Sequence, residues 1–333
     1  MSVHEVTGSP ATSDQPSGPD TPSEEGGKAP RTLVARILDS DLYYSFLQSK
    51  VTIGAAIITA LYFLGAFLSP WIAPHNPFDL ATLNILDSYL PPIWEEGGDP
   101  RYLLGTDDQG RDVLSAILYG SRISLTIGFA SVAFAAVLGI GLGLLSGYVG
   151  GMTDTIIMRI ADVQLTFPAI LIALLIDGTV RGLWGNLDRE TSAFWVLTFS
   201  IGLSFWVQYA RTVRSSTLVE RNKEYVQAAR LIGIPPVLIM IRHVLPNVMG
   251  PVLVIATINL ALAIITEATL SFLGVGIPST QPSLGTLIRI GQDFLFSGEW
   301  WITIFPGVAL AVLVLAVNLL GDWLRDALNP KLR

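Results

Sequence analysis

Five apolar stretches of this chain each run for about twenty residues or more without a charged side chain. That property limits the folds open to it more than any motif does. In a bilayer core about 30 Å thick, a helix closes every backbone hydrogen bond within itself, so each such run reads as a membrane-crossing helix. Composition agrees: 51% of the 333 residues are hydrophobic, 14% are charged, and the charges are bunched between the runs. The net charge of −7 gathers in the first residues and the first loop, and no basic patch suggests a nucleic-acid partner. With no Cys, disulfides, thiolate nucleophiles and thiolate metal ligands are excluded.

The expected fold is an all-α polytopic membrane protein with six spans, at about 51–73, 121–147, 154–177, 192–212, 249–274 and 300–322. The third contains Arg159 and Asp162, whose i,i+3 spacing predicts a pair on one helix face. Lys and Arg are retained on the cytoplasmic side, and an even number of spans with both ends inside puts 14 of the 20 there. Residues 1–30 hold five Pro, four Gly and five Ser with few apolar residues, a composition that predicts a disordered cytoplasmic tail and lacks a secretory signal's apolar run. Residues 31–50 read as a short helix on the inner membrane surface, either a lead-in to the first span or an element with its own role.

Between the fourth and fifth spans lies the segment 220–247, which on this topology is cytoplasmic. Tyr225, Ala228, Ala229 and Ile232 fall at i, i+3, i+4 and i+7, with Lys223, Gln227 and Arg230 on another side. Gly233 stands where a left-handed residue ends a helix, and Pro235-Pro236 can open a second one. That second helix is expected over about 236–244, stopped by Pro246 where the chain returns to the membrane. Leu238, Ile239, Met240 and Ile241 need cover. Two readings supply it: a separate partner protein, or the chain's own membrane domain.

Several chemistries lack their residues. A phosphate-binding loop needs Lys followed by Ser or Thr, and none of Lys28, Lys50, Lys223 and Lys331 is so followed. His4, His75 and His243 fall in three separate regions, so no metal site is expected, and the "GLSFW" stretch from Gly202 lacks the second Gly of an intramembrane serine protease. Gly139, Gly143 and Gly147, one turn apart in an apolar helix, predict close packing of the second span on a neighbour.

On the outer side, Thr106 to Gln109 fits a capping box opening the second span, with Asp107, Asp108, Arg111 and Asp112 spaced for local ion pairs. Glu267 lies about 24 Å along the fifth span at 1.5 Å per residue, with Ser271 one turn on. A carboxylate at that depth faces a cavity or another span. It is read either as part of the substrate pathway or gate, with Ser271, or as a structural hydrogen bond between helices.

The pattern E-Y-V-x-A-A-R-x-x-G-x9-H-x-L-P-N from Glu224 to Asn247 resembles the "EAA" loop of bacterial ABC importer permeases, in the form found in C-type permeases of dipeptide and oligopeptide importers. The stretches "LLGTDDQGRDVLSAILYGSR", "GGMTDTIIMRIADVQLTFP", "EATLSFLGVGIP" and "NLLGDWLRDALNPKLR" are similar to that subfamily too. The resemblance implies a type I importer-like permease in the bacterial inner membrane, noncatalytic by itself. It implies that Glu224, Tyr225, Gln227, Ala228, Ala229, Arg230 and Gly233 belong to a coupling helix docked on an ATPase, and that His243, Pro246 and Asn247 set the return to the membrane. Gln227 departs from the family's usual Glu. Implied partners are a homologous permease, two ATPase subunits that bind ATP and Mg, an extracytoplasmic binding protein, and lipid. Thr106, Asp107, Asp108, Arg111 and Asp112 fall where the binding protein would dock. Nickel chelates or other peptide-like solutes are alternative cargoes. A secondary transporter, which would show repeated halves and midplane carboxylates, and a structural or assembly protein are the rival classes.

Overall fold

The computed structural model describes residues 46–79, 83–183 and 189–327, the side chains of 181 and 189–191 excepted. The tail over 1–30 and nearly all of the lead-in helix expected over 31–50 lie outside the described residues. Eleven α-helices are described: α1 (Lys50–Phe67), α2 (Ser69–Ile72), α3 (Val113–Val149), α4 (Gly151–Gln164), α5 (Ala169–Leu183), α6 (Arg189–Glu220), α7 (Glu224–Leu231), α8 (Pro236–Ile239), α9 (Leu245–Phe272), α10 (Leu284–Gln292) and α11 (Trp301–Ala327). A π turn, Met240–Val244, joins α8 to α9. Among the described residues there is no strand, only an isolated bridge between Thr106 and Asp112.

Among the described residues, five helices are long and apolar enough to cross a membrane, and a bent pair makes up to six. Their outward sides carry Leu61, Val137, Leu175 and Leu315, each more than half exposed, as surfaces meant for lipid or another span would. At 37 residues, α3 is about 55 Å long at 1.5 Å per residue, well beyond the bilayer core, so it projects outside the lipid.

The third span differs from expectation. Over 154–177 the chain forms two helices, α4 and α5, at 92° to one another. Pro168 is the cause: it has no N–H to donate, and its ring disfavours helical backbone at Phe167. The chain tightens there into i→i+3 bonds from Thr166 to Val163 and from Phe167 to Gln164. The expected Arg159–Asp162 pair is likewise replaced. Asp162 takes Arg211 of α6 at 2.6 Å, and Asp154 receives both Nε and Nη2 of Arg214. Two arginines of α6, one of them through two nitrogens, thus fasten α4 to α6.

The glycine prediction holds. A Cβ on Gly139 would sit 2.5 Å from the Trp206 carbonyl oxygen, one on Gly143 2.6 Å from that of Ala210, and one on Gly147 2.7 Å from Thr217 Cβ. α3 and α6 therefore touch backbone to backbone over three turns.

The capping box does not form. Thr106 Oγ1 donates to the Asp87 carbonyl and accepts from Leu90 N at 2.9 Å, while Asp112 caps α3 by accepting from Ser115 N at 2.9 Å. The threonine is taken by a strand-like loop contact sixteen residues back, so the helix starts six residues later.

Candidate partner interface at the helical hairpin

The hairpin leaves the membrane body at the end of α6 and returns through α8, the π turn and α9. Glycine at 233 is required: its φ of 85° is left-handed, and it ends α7. Pro236 opens α8 as expected. Pro246 does not stop the helix. Leu245 N bonds back to Met240 O in the wider π register, which makes room for a ring that would otherwise press on the carbonyl four residues earlier. α8 thus runs on into α9 as one rod, Pro236–Phe272, of 37 residues.

The inward face of α7 is Val226 and Ala229, both buried. With Ile239, Val244 and Val248 they pack on Tyr209 and Val213 of α6 and Leu144 of α3. The expected face is therefore split: Ala229 points in, while Tyr225, Ala228 and Ile232 point out. The registers 225/228/232 and 226/229 are one residue apart, and packing against Tyr209 and Val213 of α6 selects the second. Val226 is a buried neighbour that sequence reasoning missed, although an i,i+3 pattern of Val226 and Ala229 was available, whereas Ile239, expected to need cover, is covered by the chain's own membrane body.

Polar contacts clasp the hairpin to both spans. The Tyr225 hydroxyl donates to Glu220 at the end of α6 and accepts from Asn247 Nδ2 at 3.2 Å; the same amide donates to the His243 carbonyl at 2.7 Å. Burial, and next the Glu220 carboxylate, push the Tyr225 hydroxyl up to about 12. Arg230 lies 4.8 Å over the Tyr148 ring and donates to its hydroxyl at 3.2 Å. Arg221 Nη1 donates to the Gly147 carbonyl at 2.8 Å, covering an open acceptor at the end of α3. Gln227 Nε2 donates to the Asn222 carbonyl at 3.0 Å, so the residue standing at the usual Glu position closes the loop before its own helix. Glu224, Pro246 and Gly233 are exposed, and His243 is half-buried.

The opposite face is bare and apolar: Leu231 is 90% exposed, Ile232 79%, Val237 60% and Ile241 56%. Four large aliphatic side chains thus stand exposed together on one short elbow.

At the other end of α3 the predicted residues build a loop instead of presenting one. Among the five, Thr106, Asp107, Arg111 and Asp112 are buried within this loop and only Asp108 is partly open. Arg111 Nε bonds Asp107 Oδ2 at 2.6 Å, and Arg111 Nη1 reaches the Ser279 carbonyl at 2.9 Å, pinning this loop to the one after α9. Burial, reinforced by Asp107, pushes the Asp108 carboxyl up.

Glu267 is fully buried between helices. Its carboxylate accepts from Ser124 of α3 at 2.6 Å and from Ser271 at 2.7 Å. Glu267 and Ser271 are therefore brought together with a third residue, Ser124, which no sequence spacing connects to them.

A family model described as "Binding-protein-dependent transport system inner membrane component" matches residues 139–333. The chain is 38% identical to the dipeptide transport system permease protein DppC of Haemophilus influenzae, over 91% of this chain and 98% of that one. It is 37% identical to the di/tripeptide transport system permease protein DppC of Pseudomonas aeruginosa (88% and 92% covered) and 39% identical to the dipeptide transport system permease protein DppC of Escherichia coli (88% and 93%). Among solved structures, the inward-facing MetNI methionine ABC transporter shares the fold, with a TM-score of 0.50 and 22% identity over 64% of this chain and 96% of that chain.

Proposed function

The chain belongs to the family of binding-protein-dependent transport system inner membrane components, and we propose that it is the C-type permease subunit of an ATP-driven importer of short peptides. The observation that carries this is the hairpin: sewn into the membrane body on one face and bare on the other, it is built to take force from a partner. Peptide as the cargo class is supported by the relatives, described as dipeptide and di/tripeptide permeases.

On this reading the hairpin and both termini are cytoplasmic, as the Lys and Arg distribution favours. A homologous permease completes the path, two ATPase subunits hold ATP and Mg, and an extracytoplasmic binding protein delivers the peptide. When the ATPases close, they push the patch of Leu231, Ile232, Val237 and Ile241. The elbow cannot yield within itself, because Val226 and Ala229 are packed and Tyr225 ties Glu220 to Asn247. Displacement therefore passes into α6 and α9 together, and packed helices move between discrete arrangements.

Ile232→Asp tests this, since the side chain is exposed and the change leaves the fold alone. Peptide uptake should be lost and the ATPase subunits should no longer copurify, with the permease still in the membrane. Uptake and copurification at the unsubstituted level would overturn the proposal.

A further inference from the structure

A cleft of about 430 Å³ opens at the end of α3 remote from the hairpin. Its lining includes Arg122 and Thr126, one turn apart on α3, with Phe78, Tyr119, Phe194 and Gln281 around them. The volume falls in the range of roughly 300–1,000 Å³ typical of small-molecule sites. Three aromatic rings give the walls apolar area, and Phe78 stands edge-on to Tyr119 with ring centroids 5.1 Å apart, fixing both. A second cleft of about 360 Å³ shares Phe78 and Gln281 with the first and continues past Gln109 and Ser279.

Arg122 is the uncommon feature. It is exposed, it sits on a membrane-crossing helix, and no described carboxylate pairs with it. Four other arginines at the two ends of this bundle are used: Arg111 on Asp107, Arg211 on Asp162, Arg214 on Asp154 and Arg221 on the end of α3. A guanidinium at a helix surface facing hydrocarbon is costly, so Arg122 faces water or a ligand. Its planar fork suits a carboxylate, and every unmodified peptide ends in one.

We infer that this cleft is a transit subsite for the cargo, in which Arg122 holds the peptide's C-terminal carboxylate while Phe78, Tyr119 and Phe194 flank its side chains. The inference rests on the peptide-importer reading above and adds to it a contact that the permease itself makes. The rings accept many side chains because they offer area and no directional polar demand, whereas the carboxylate is common to all cargo. An unpaired, exposed Arg holds it loosely enough to release it onward.

The test uses the assembled complex, with both permeases, the ATPases and the binding protein, in proteoliposomes. The probe is a radiolabelled dipeptide carrying one photoreactive phenylalanine analogue. The unsubstituted complex should take it up and, on irradiation, carry the label on the cleft's lining, at Phe78, within residues 119–126 or at Phe194. Arg122→Ala should lower both uptake and labelling by roughly tenfold or more, the loss expected for one charge-assisted hydrogen-bonded contact. Arg122→Lys should recover part of both, and stimulation of ATPase by the binding protein should persist in each. Labelling elsewhere, or labelling and uptake in Arg122→Ala within twofold of the unsubstituted complex, overturns the subsite. Loss of ATPase stimulation alongside uptake overturns it too, by making Arg122 a docking contact for the binding protein. If the unsubstituted complex takes up no dipeptide, the peptide-importer reading fails first.

Discussion

Substituting Ala for Gly143 should destabilise the protein, while the same change at Gly141 on the same helix should not. At Gly143 the added Cβ would lie 2.6 Å from the Ala210 carbonyl oxygen and 2.9 Å from Val213 Cβ, against 3.4 Å or more for ordinary contact. The α3–α6 seam would have to open by about 0.8 Å at that turn, the difference between those distances. Overpacking of this kind costs about 1–3 kcal/mol, partly offset by the gain of about 1 kcal/mol when Gly becomes Ala in a helix. The net loss expected for Gly143→Ala is thus up to about 2 kcal/mol, and Gly139→Ala, which meets two atoms at 2.5 Å, should be at least as harmful. At Gly141 nothing lies within 4 Å, so only the helix gain remains and stability should rise by a few tenths to about 1 kcal/mol. Thermal unfolding of the purified chain in one detergent, followed by tryptophan fluorescence, compares the three variants directly. Equal shifts at positions 141 and 143 would refute the claim that backbone contact holds this seam.

Two other predictions concern the ends of the bundle. Tyr225 should ionise near pH 12 instead of near 10, so the clasp on Glu220 is intact below pH 10 and is lost as pH rises through about 12; the tyrosinate absorbance missing from Tyr225→Phe reports the midpoint, and a midpoint near 10 would remove the clasp. Arg111→Ala should cost about 3–5 kcal/mol by leaving the Asp107 carboxylate buried and unpaired, while Arg111→Met with Asp107→Leu should cost much less; denaturation in matched detergent measures both, and equal losses would contradict the buried-pair account.

Much of this architecture can be read directly from the chain, because a bilayer imposes one demand that length and apolarity meet without reference to the rest of the fold. The hairpin was legible for a similar reason: Gly233 and Pro235-Pro236 act locally. Where partners lie far apart in sequence, the reading failed. Thr106 looked like a cap because its competing partners, Asp87 O and Leu90 N, carry no sequence signal. Glu267 gave no hint of Ser124, 143 positions away. The inward register of α7 was off by one residue, since Tyr225 and Val226 are both apolar enough and only the surface of α6 chooses. The bend before α5 is a different case: Pro168 is in plain view, and an interior proline should have divided that span at once.

The π turn at Met240–Val244 has a geometric consequence for the whole elbow. One surplus residue in a helix advances every later side chain by about 100° around the axis, since 3.6 residues make a turn. The turn therefore sets the angular phase between Leu238 and Ile241, turned outward, and Val248 and Val252, turned toward the body of the protein. Removing any single residue from that pentapeptide would keep the rod's length nearly unchanged and aim its grip in the wrong direction.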